Sequence, residues 1–239
     1  MKETFLGVPA DIVTLEEAVD RVRAMLSQNR PHFLASINPE ICVASQQNSS
    51  LRATLLAADL GLPDGVGIVL ASRLRGGRLR QRVTGIDFLQ ALCALAAREG
   101  KSVFFFGGAD GVAAAAAANM AKQYPGLQVA GTQHGYIKPA EEGDVAVKIA
   151  AAAAQIVFVG LGSPRQELFV ALHGEATAAR VLMVVGGAFD VLSGRLPRAP
   201  HLYRRLGAEW LYRLFMEPRR WSRVLSLPRF LVLAVIKKN

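Results

Sequence analysis

The 239-residue chain reads as an α/β protein: a mostly parallel sheet with helices on both faces, followed by a small, basic, helical C-terminal appendage. Three observations predict this. Strand-like apolar runs alternate with helix-period segments at the spacing of βαβ units. Three of those runs end in glycine pairs or near-pairs, Gly107-Gly108, Gly160-Gly162 and Gly186-Gly187. From about residue 200 the pattern changes to amphipathic segments rich in arginine and broken at Pro218 and Pro228. The expected division is residues 1–199 for the sheet domain and 200–239 for the appendage.

Taken in order, "TLEEAVDRVRAMLSQ" is a helix opened by a Thr14/Glu17 capping box, with Leu15, Ala18, Val22, Met25 and Leu26 on one apolar face. "HFLASIN" is a buried strand, and Pro39 opens the helix that follows it. "LLAADLGL" reads as a second buried strand running into the turn "LPDGVG". "VTGIDFLQALCALAAREG" is a helix started near Thr84 and stopped at Gly100. "KSVFFFGG", "LQVAGTQHGY", "QIVFVGLGSPRQE" and "VLMVVGGAFDVLSG" are strands entering loops, with alanine-rich helices between the first three. In the appendage, Leu202, Leu206, Trp210, Leu214 and Phe215 are expected to share one face, with arginines interleaved among aromatics.

Composition narrows the class. At 51% hydrophobic residues the chain can bury a sizeable core. Cys42 and Cys93 sit in apolar runs without metal spacing, and the four histidines lie in unrelated motifs, so no metal site is expected. The N-terminus has no apolar signal-like stretch, and no run reaches the ~18 apolar residues of a membrane span. The net charge of +9 is concentrated at one end. From Asp190 onward nine Arg and two Lys face Asp190, Glu209 and Glu217, a balance of +8. Such a tail suits an anionic lipid surface, a phosphorylated substrate or nucleic acid. Mixed with Trp210, Tyr212, Phe215, Trp221 and Phe230, the arginines fit a membrane interface or a phosphate clamp.

The stretch "LPDGVG" places a carboxylate, Asp64, between a proline and a glycine. Pro-Asp-Gly is sound turn chemistry by itself. It is also a rigid mount for a general base beyond the end of a strand, where ligands of open α/β sheets bind. The glycine loops at neighbouring strand ends allow close ligand approach, and helix N-termini there offer N–H groups to an anion, so a nucleotide or phosphate site is expected.

"INPE", "GLPDGVG", "RVTGIDF", "FFFGG", "VGLGSPRQE", "VGGAFDVLSG", "RAP" and "EWLYRLFMEPRR" follow one another in this order, and the chain resembles the WecG/TagA/CpsF glycosyltransferases, also called glycosyltransferase family 26, from about residue 5 to 235. The resemblance implies a Rossmann-like domain whose C-terminal appendage helps close the active site and meets the membrane. It implies inverting transfer of a hexosyl unit, most often N-acetylmannosamine and in other members glucose or another hexose, from a UDP-sugar to a polyprenyl-diphosphate-linked saccharide. Asp64 then stands as the base. Arg82 and the appendage arginines Arg213, Arg220 and Arg223 would meet the diphosphate, with Arg219 a rival to Arg220. Gln166 would contact a phosphate or sugar hydroxyl. Ser36, where many relatives carry Thr, and Asn38 would flank the site with Gly107, Gly108 and Gly162. Tyr136 and Asp190 would hold the uridine. No cofactor or metal is implied, and the sequence lacks an Asp-X-Asp motif. The expected place of work is the inner face of the cytoplasmic membrane, with self-association through the sheet domain as in some relatives.

Two other readings fit less well. An NAD(P) oxidoreductase would need a Gly-X-Gly-X-X-Gly after its first strand and an acid about 20 residues on. A nucleic-acid-binding protein would need a recognisable reading motif, and the apolar "FLVLAVI" suits lipid better.

Overall fold

The computed structural model describes residues 1–205, 207–216 and 226–236, without the side chains of Arg204, Arg213 and Val235. Eight strands and twelve α-helices are described. In chain order they are β1 (Lys2–Phe5), β2 (Val8–Asp11), α1 (Leu15–Leu26), β3 (His32–Ile37), α2 (Pro39–Ala44), α3 (Ser49–Leu56), β4 (Leu60–Pro63), α4 (Val66–Leu74), α5 (Gly85–Glu99) and β5 (Ser102–Gly107). They continue with α6 (Val112–Gln123), β6 (Gln128–Gln133), α7 (Glu142–Ala151), β7 (Ile156–Gly160), α8 (Arg165–His173), β8 (Val181–Val184), α9 (Ala188–Leu192), α10 (His201–Arg205), α11 (Glu209–Met216) and α12 (Ser226–Ile236).

Six strands form one parallel sheet in the order β4-β3-β8-β7-β5-β6. Side chains alternate across it, as strand geometry requires. Phe104, Phe106, Val157 and Val159 point to a core shared with α2, α3, α4, α7, α8 and α12. Phe105, Ile156, Phe158 and Leu34 point to the opposite core, under α1, α5, α6 and α9. Apolar surface on both faces explains why the strands read as continuous hydrophobic runs rather than alternating ones. This is the predicted α/β architecture, Rossmann-like, with helices on both faces.

The helix starts follow their caps. Thr14 and Glu17 form the expected reciprocal box, Thr84 caps α5 through Asp87 N, and Gly100 ends α5 in a left-handed conformation. Asn38 accepts from Ile41 N at 3.0 Å, so it is the cap of α2 with Pro39 in the first turn.

Three features differ from the sequence reading. "LLAADLGL" is not one strand: Asn48 caps a helix that runs through Leu55 and Leu56, and only Leu60–Pro63 is extended. Helix and buried strand share the same apolar composition, and the Asn48 cap decides between them. The N-terminus forms a β1–β2 hairpin with no counterpart in the prediction. Its Asp11, almost fully buried, accepts from Gly61 N at 2.9 Å and from Arg21 at 2.7 Å, which seats the hairpin over the edge strand β4.

The third difference lies in the appendage. Leu202 and Phe215 are exposed while Leu214 is buried, so the expected common face is split; Leu206 lies outside the described residues. The apolar end "FLVLAVI" belongs partly to the core: Phe230 and Ala234 are fully buried, and the Phe230 ring lies 6.2 Å from that of Phe5. Helix α12 packs on α2 and α4, and a methyl group at Gly67 would sit 2.6 Å from Leu227 Cδ1. Val232 and Ile236 face outward from the same helix.

Candidate active site

The carboxyl ends of β4, β3 and β8 open into a cavity of about 290 Å³. Asp64 stands at its wall, one residue beyond β4. Its backbone N–H donates to Ile37 O at 2.9 Å, tying it to the end of β3. Val83 N donates to Pro63 O at 2.9 Å, which lays the segment Arg82–Thr84 alongside. The Asp64 carboxylate and the Ser36 hydroxyl converge on Gly85: a methyl group there would meet Ser36 Oγ at 3.5 Å and Asp64 Oδ2 at 3.7 Å. Gly65, at φ +89°, makes the turn that leaves Asp64 at the mouth and starts α4 with no side-chain cap. The first turns of α4 and α5 both line the cavity, and their N–H groups carry the positive ends of two helix dipoles.

The charged groups on the wall are mixed. Arg82, Arg198, Asp64, Glu40 and Glu209 all line the cavity. Arg82 pairs with Glu209 of α11 at 2.7 Å. Arg198 pairs with Asp87 and donates to Gln90 Oε1 at 3.2 Å, so the "RAP" segment is fastened to α5. Trp210 and Leu214 of α11 and Leu227 of α12 complete the wall, so the C-terminal segment contributes to the cavity rather than standing apart from it.

Asn38, Asp64 and Arg82 are thus brought together at one cavity, with Ser36 beside them. Other predicted residues occupy neighbouring strand ends outside that wall. Gln166 is buried in the first turn of α8. Its carbonyl accepts from Gly186 N at 3.0 Å and its amide donates to Glu167 Oε1 at 2.8 Å, so it holds the β8 loop. Glu167 is fully buried, and burial pushes its carboxyl above the usual range against the opposing bond from Gln166. Gly107 and Gly108 serve close backbone packing: a methyl at Gly107 would fall 2.3 Å from Gly160 O, and Gly108 N donates to Gly160 O. Gly162, by contrast, has open space where a Cβ would stand. Asp190, on α9, lies 3.9 Å from Arg195, and Tyr136 is 79% exposed on the loop after β6. Arg213 is on α11 with its side chain undescribed, and Arg219, Arg220 and Arg223 lie outside the described residues.

The cysteines play no part in this chemistry. Both are buried, and burial raises both thiols, Cys93 to about 12. Among the described residues no three His, Cys, Asp or Glu side chains are grouped to hold a metal.

The model of the glycosyl transferase WecG/TagA/CpsF family matches residues 3–239. The chain belongs to this family. Among curated WecG/TagA/CpsF relatives, one from Bacillus spizizenii is 41% identical over 212 residues, spanning 89% of this chain and 81% of its own length. One from Bacillus subtilis is 34% identical over 238 residues, spanning 99% and 92%. Both are named N-acetylglucosaminyldiphosphoundecaprenol N-acetyl-beta-D-mannosaminyltransferase.

Set against the WecG/TagA/CpsF motifs quoted from the sequence, the structure adds three residues to those singled out: Glu209 in "EWLYRLF", Arg198 in "RAP" and Arg165 in "SPRQE". Glu209 carried one available signal, as an isolated acid within a strongly basic segment. Arg165 and Arg198 carried none, because their partners are far away in sequence.

Proposed function

We propose that this glycosyltransferase moves N-acetylmannosamine from UDP-N-acetylmannosamine to a polyprenyl-diphosphate-linked N-acetylglucosamine, with inversion at the anomeric carbon, in the synthesis of a bacterial surface polysaccharide. The observation that carries this reading is the place of Asp64, fixed by the β3 and β4 ends at the wall of a cavity that two helix N-termini also line. The names of the two Bacillus relatives supply the sugar and the acceptor. In the step proposed, the acceptor hydroxyl attacks the anomeric carbon while Asp64 takes its proton. The bond from that carbon to the UDP oxygen breaks on the opposite side, and UDP departs with the bonding pair. The growing charge on UDP is met by the N–H groups at the starts of α4 and α5, by Arg82 and by the arginines of the C-terminal segment.

The acceptor is a lipid, so the protein is proposed to work on the inner face of the cytoplasmic membrane as a peripheral protein. Among the described residues no helix is long and apolar enough to cross a membrane. Leu202, Phe215, Met216, Val232 and Ile236 present exposed apolar side chains on α10, α11 and α12, in a part of the chain that is strongly basic. Apolar side chains beside positive charge suit an anionic lipid interface.

The test is a donor panel of UDP-hexoses assayed against a synthetic polyprenyl-diphosphate N-acetylglucosamine, with and without EDTA. Turnover with UDP-N-acetylmannosamine that survives EDTA is expected. Preference for UDP-glucose would replace the donor. Loss of turnover to EDTA, restored by Mg²⁺, would overturn metal-free departure of UDP.

A further inference from the structure

We propose that Arg165 is a positioning residue that sets where the nucleoside end of the donor sits, by folding the loop that carries Tyr136 back over the sheet. The inference rests on the UDP-sugar reading above. Tyr136 follows β6, the edge strand furthest from β4 and Asp64. Five strand spacings separate the two strands, about 24 Å at ~4.8 Å each. A nucleoside diphosphate sugar has about ten bonds between its base and its anomeric carbon, and spans only roughly 13 Å when extended. If Tyr136 stayed above its own strand, a single donor could not reach both it and Asp64.

The loop does not stay there. Arg165, at the start of α8, reaches into it and donates to the carbonyls on both sides of Tyr136: Nη1 to Gly135 O at 3.0 Å and Nη2 to Ile137 O at 2.8 Å. Its Nε donates to Glu142 Oε1 at 2.6 Å, which fixes the guanidinium plane and balances its charge. On the other side of the loop, Gly135 N donates to Gly108 O at 2.8 Å. Gly135 packs so closely that a methyl there would lie 2.8 Å from Leu161 Cδ2, just beyond β7. The loop is therefore held over β5 and β7. From β7 to β4 there are three spacings, about 14 Å, which matches the length of the donor.

What the clamp presents is a tyrosine ring left 79% exposed between two immobilised carbonyls. Each of the three guanidinium nitrogens of Arg165 donates to the loop or to Glu142, and the effect proposed for it on a ligand passes through Tyr136. A flat, exposed aromatic face held at this distance suits stacking of a nucleobase.

The experiment uses the full chain and measures UDP affinity by calorimetry and donor KM and kcat by turnover, for Arg165→Ala, Arg165→Lys, Tyr136→Ala and the double variant Arg165→Ala/Tyr136→Ala. Arg165→Ala is expected to weaken UDP binding and raise donor KM by about as much as Tyr136→Ala, roughly five- to thirtyfold for one lost stacking contact. Its kcat should stay within about threefold, the double variant should be no weaker than either single one, and Arg165→Lys should recover part of the affinity. Additive losses in the double variant, or a fall in kcat with KM unchanged, would overturn the inference. So would unchanged UDP affinity in Tyr136→Ala. If Arg165→Ala does not fold, the lysine variant and its combination with Tyr136→Ala decide by the same non-additivity. Failure of the wild-type protein to bind UDP at all is a separate outcome, and removes the donor reading together with this one.

Discussion

Arg82 and Glu209, 127 residues apart in sequence, meet in an ion pair at 2.7 Å on the wall of the cavity that holds Asp64. Both side chains are about four-fifths shielded from solvent, at 21% and 18% exposure. The pair joins the segment before α5 to the first turn of α11. It also places a carboxylate on the arginine expected to meet the donor's diphosphate. On the function proposed, the two anions compete for one guanidinium.

Replacing Glu209 with Gln should therefore tighten UDP. The gain expected is roughly two- to fivefold, the range for releasing an ion pair of this kind. Titration calorimetry of wild type and variant measures it. Weaker binding in the variant would mean that Glu209 aims Arg82 at the diphosphate and does not compete with it.

Asp64→Asn should lower kcat by about a hundredfold or more, the scale on which a positioned general base contributes, and leave the UDP dissociation constant within about twofold. The amide keeps the shape of the carboxylate but cannot accept the acceptor's proton at neutral pH. Because the backbone of Asp64 is held by Ile37 O and the turn is set by Gly65, the substitution leaves the mount intact. Comparing kcat with UDP affinity separates loss of the base from loss of the site, and a variant with near-normal kcat removes Asp64 from the role.

The sheet domain was legible because its signals are local. The Thr14 and Thr84 caps, the Gly100 stop and the apolar run "KSVFFFGG" each act within a few residues, and each stands where the sequence puts it. The position of Asp64 beyond a strand end was legible for the same reason: the Pro-Asp-Gly turn and the strand before it are contiguous. What was not legible depends on distant partners. Asp11 is buried only because Gly61 N and Arg21 reach it, and the hairpin it anchors has no periodic pattern of its own. Glu209 and Arg165 look like surface charges until the fold brings Arg82 and the Tyr136 loop to them. "FLVLAVI" shows why composition alone misplaces a helix: Phe230 and Ala234 face the core, while Val232 and Ile236 face out, from one apolar run.

That division of α12 is itself testable. Phe230→Ala should destabilise the protein by about 3–5 kcal/mol, the usual range for emptying a fully buried aromatic site. Val232→Ala, on the outward side, should change stability by less than about 0.5 kcal/mol. Urea denaturation of the two variants checks this. Equal, small effects would show that α12 does not dock against Phe5, α2 and α4 in solution.

Glu167 gives the fold a pH dependence whose sign can be stated. Its folded-state carboxyl is raised above the ordinary glutamate range, because burial disfavours the charged form more than the bond from Gln166 restores it. Between the unfolded pKa and the raised folded one, the native state binds more protons than the unfolded state. Stability therefore falls as pH rises through that window, and stays at the lower level above it. Glu167→Gln keeps an oxygen to accept from Gln166 Nε2 but has no proton to lose. The variant should lack this part of the decline, so the stability difference, variant minus wild type, should rise from acid pH through the window and level off above the raised folded-state pKa. Denaturation midpoints measured from pH 4 to pH 8 on both proteins test it. A difference that stays flat across the range would mean that Glu167 ionises in the folded protein as freely as it does in the unfolded chain.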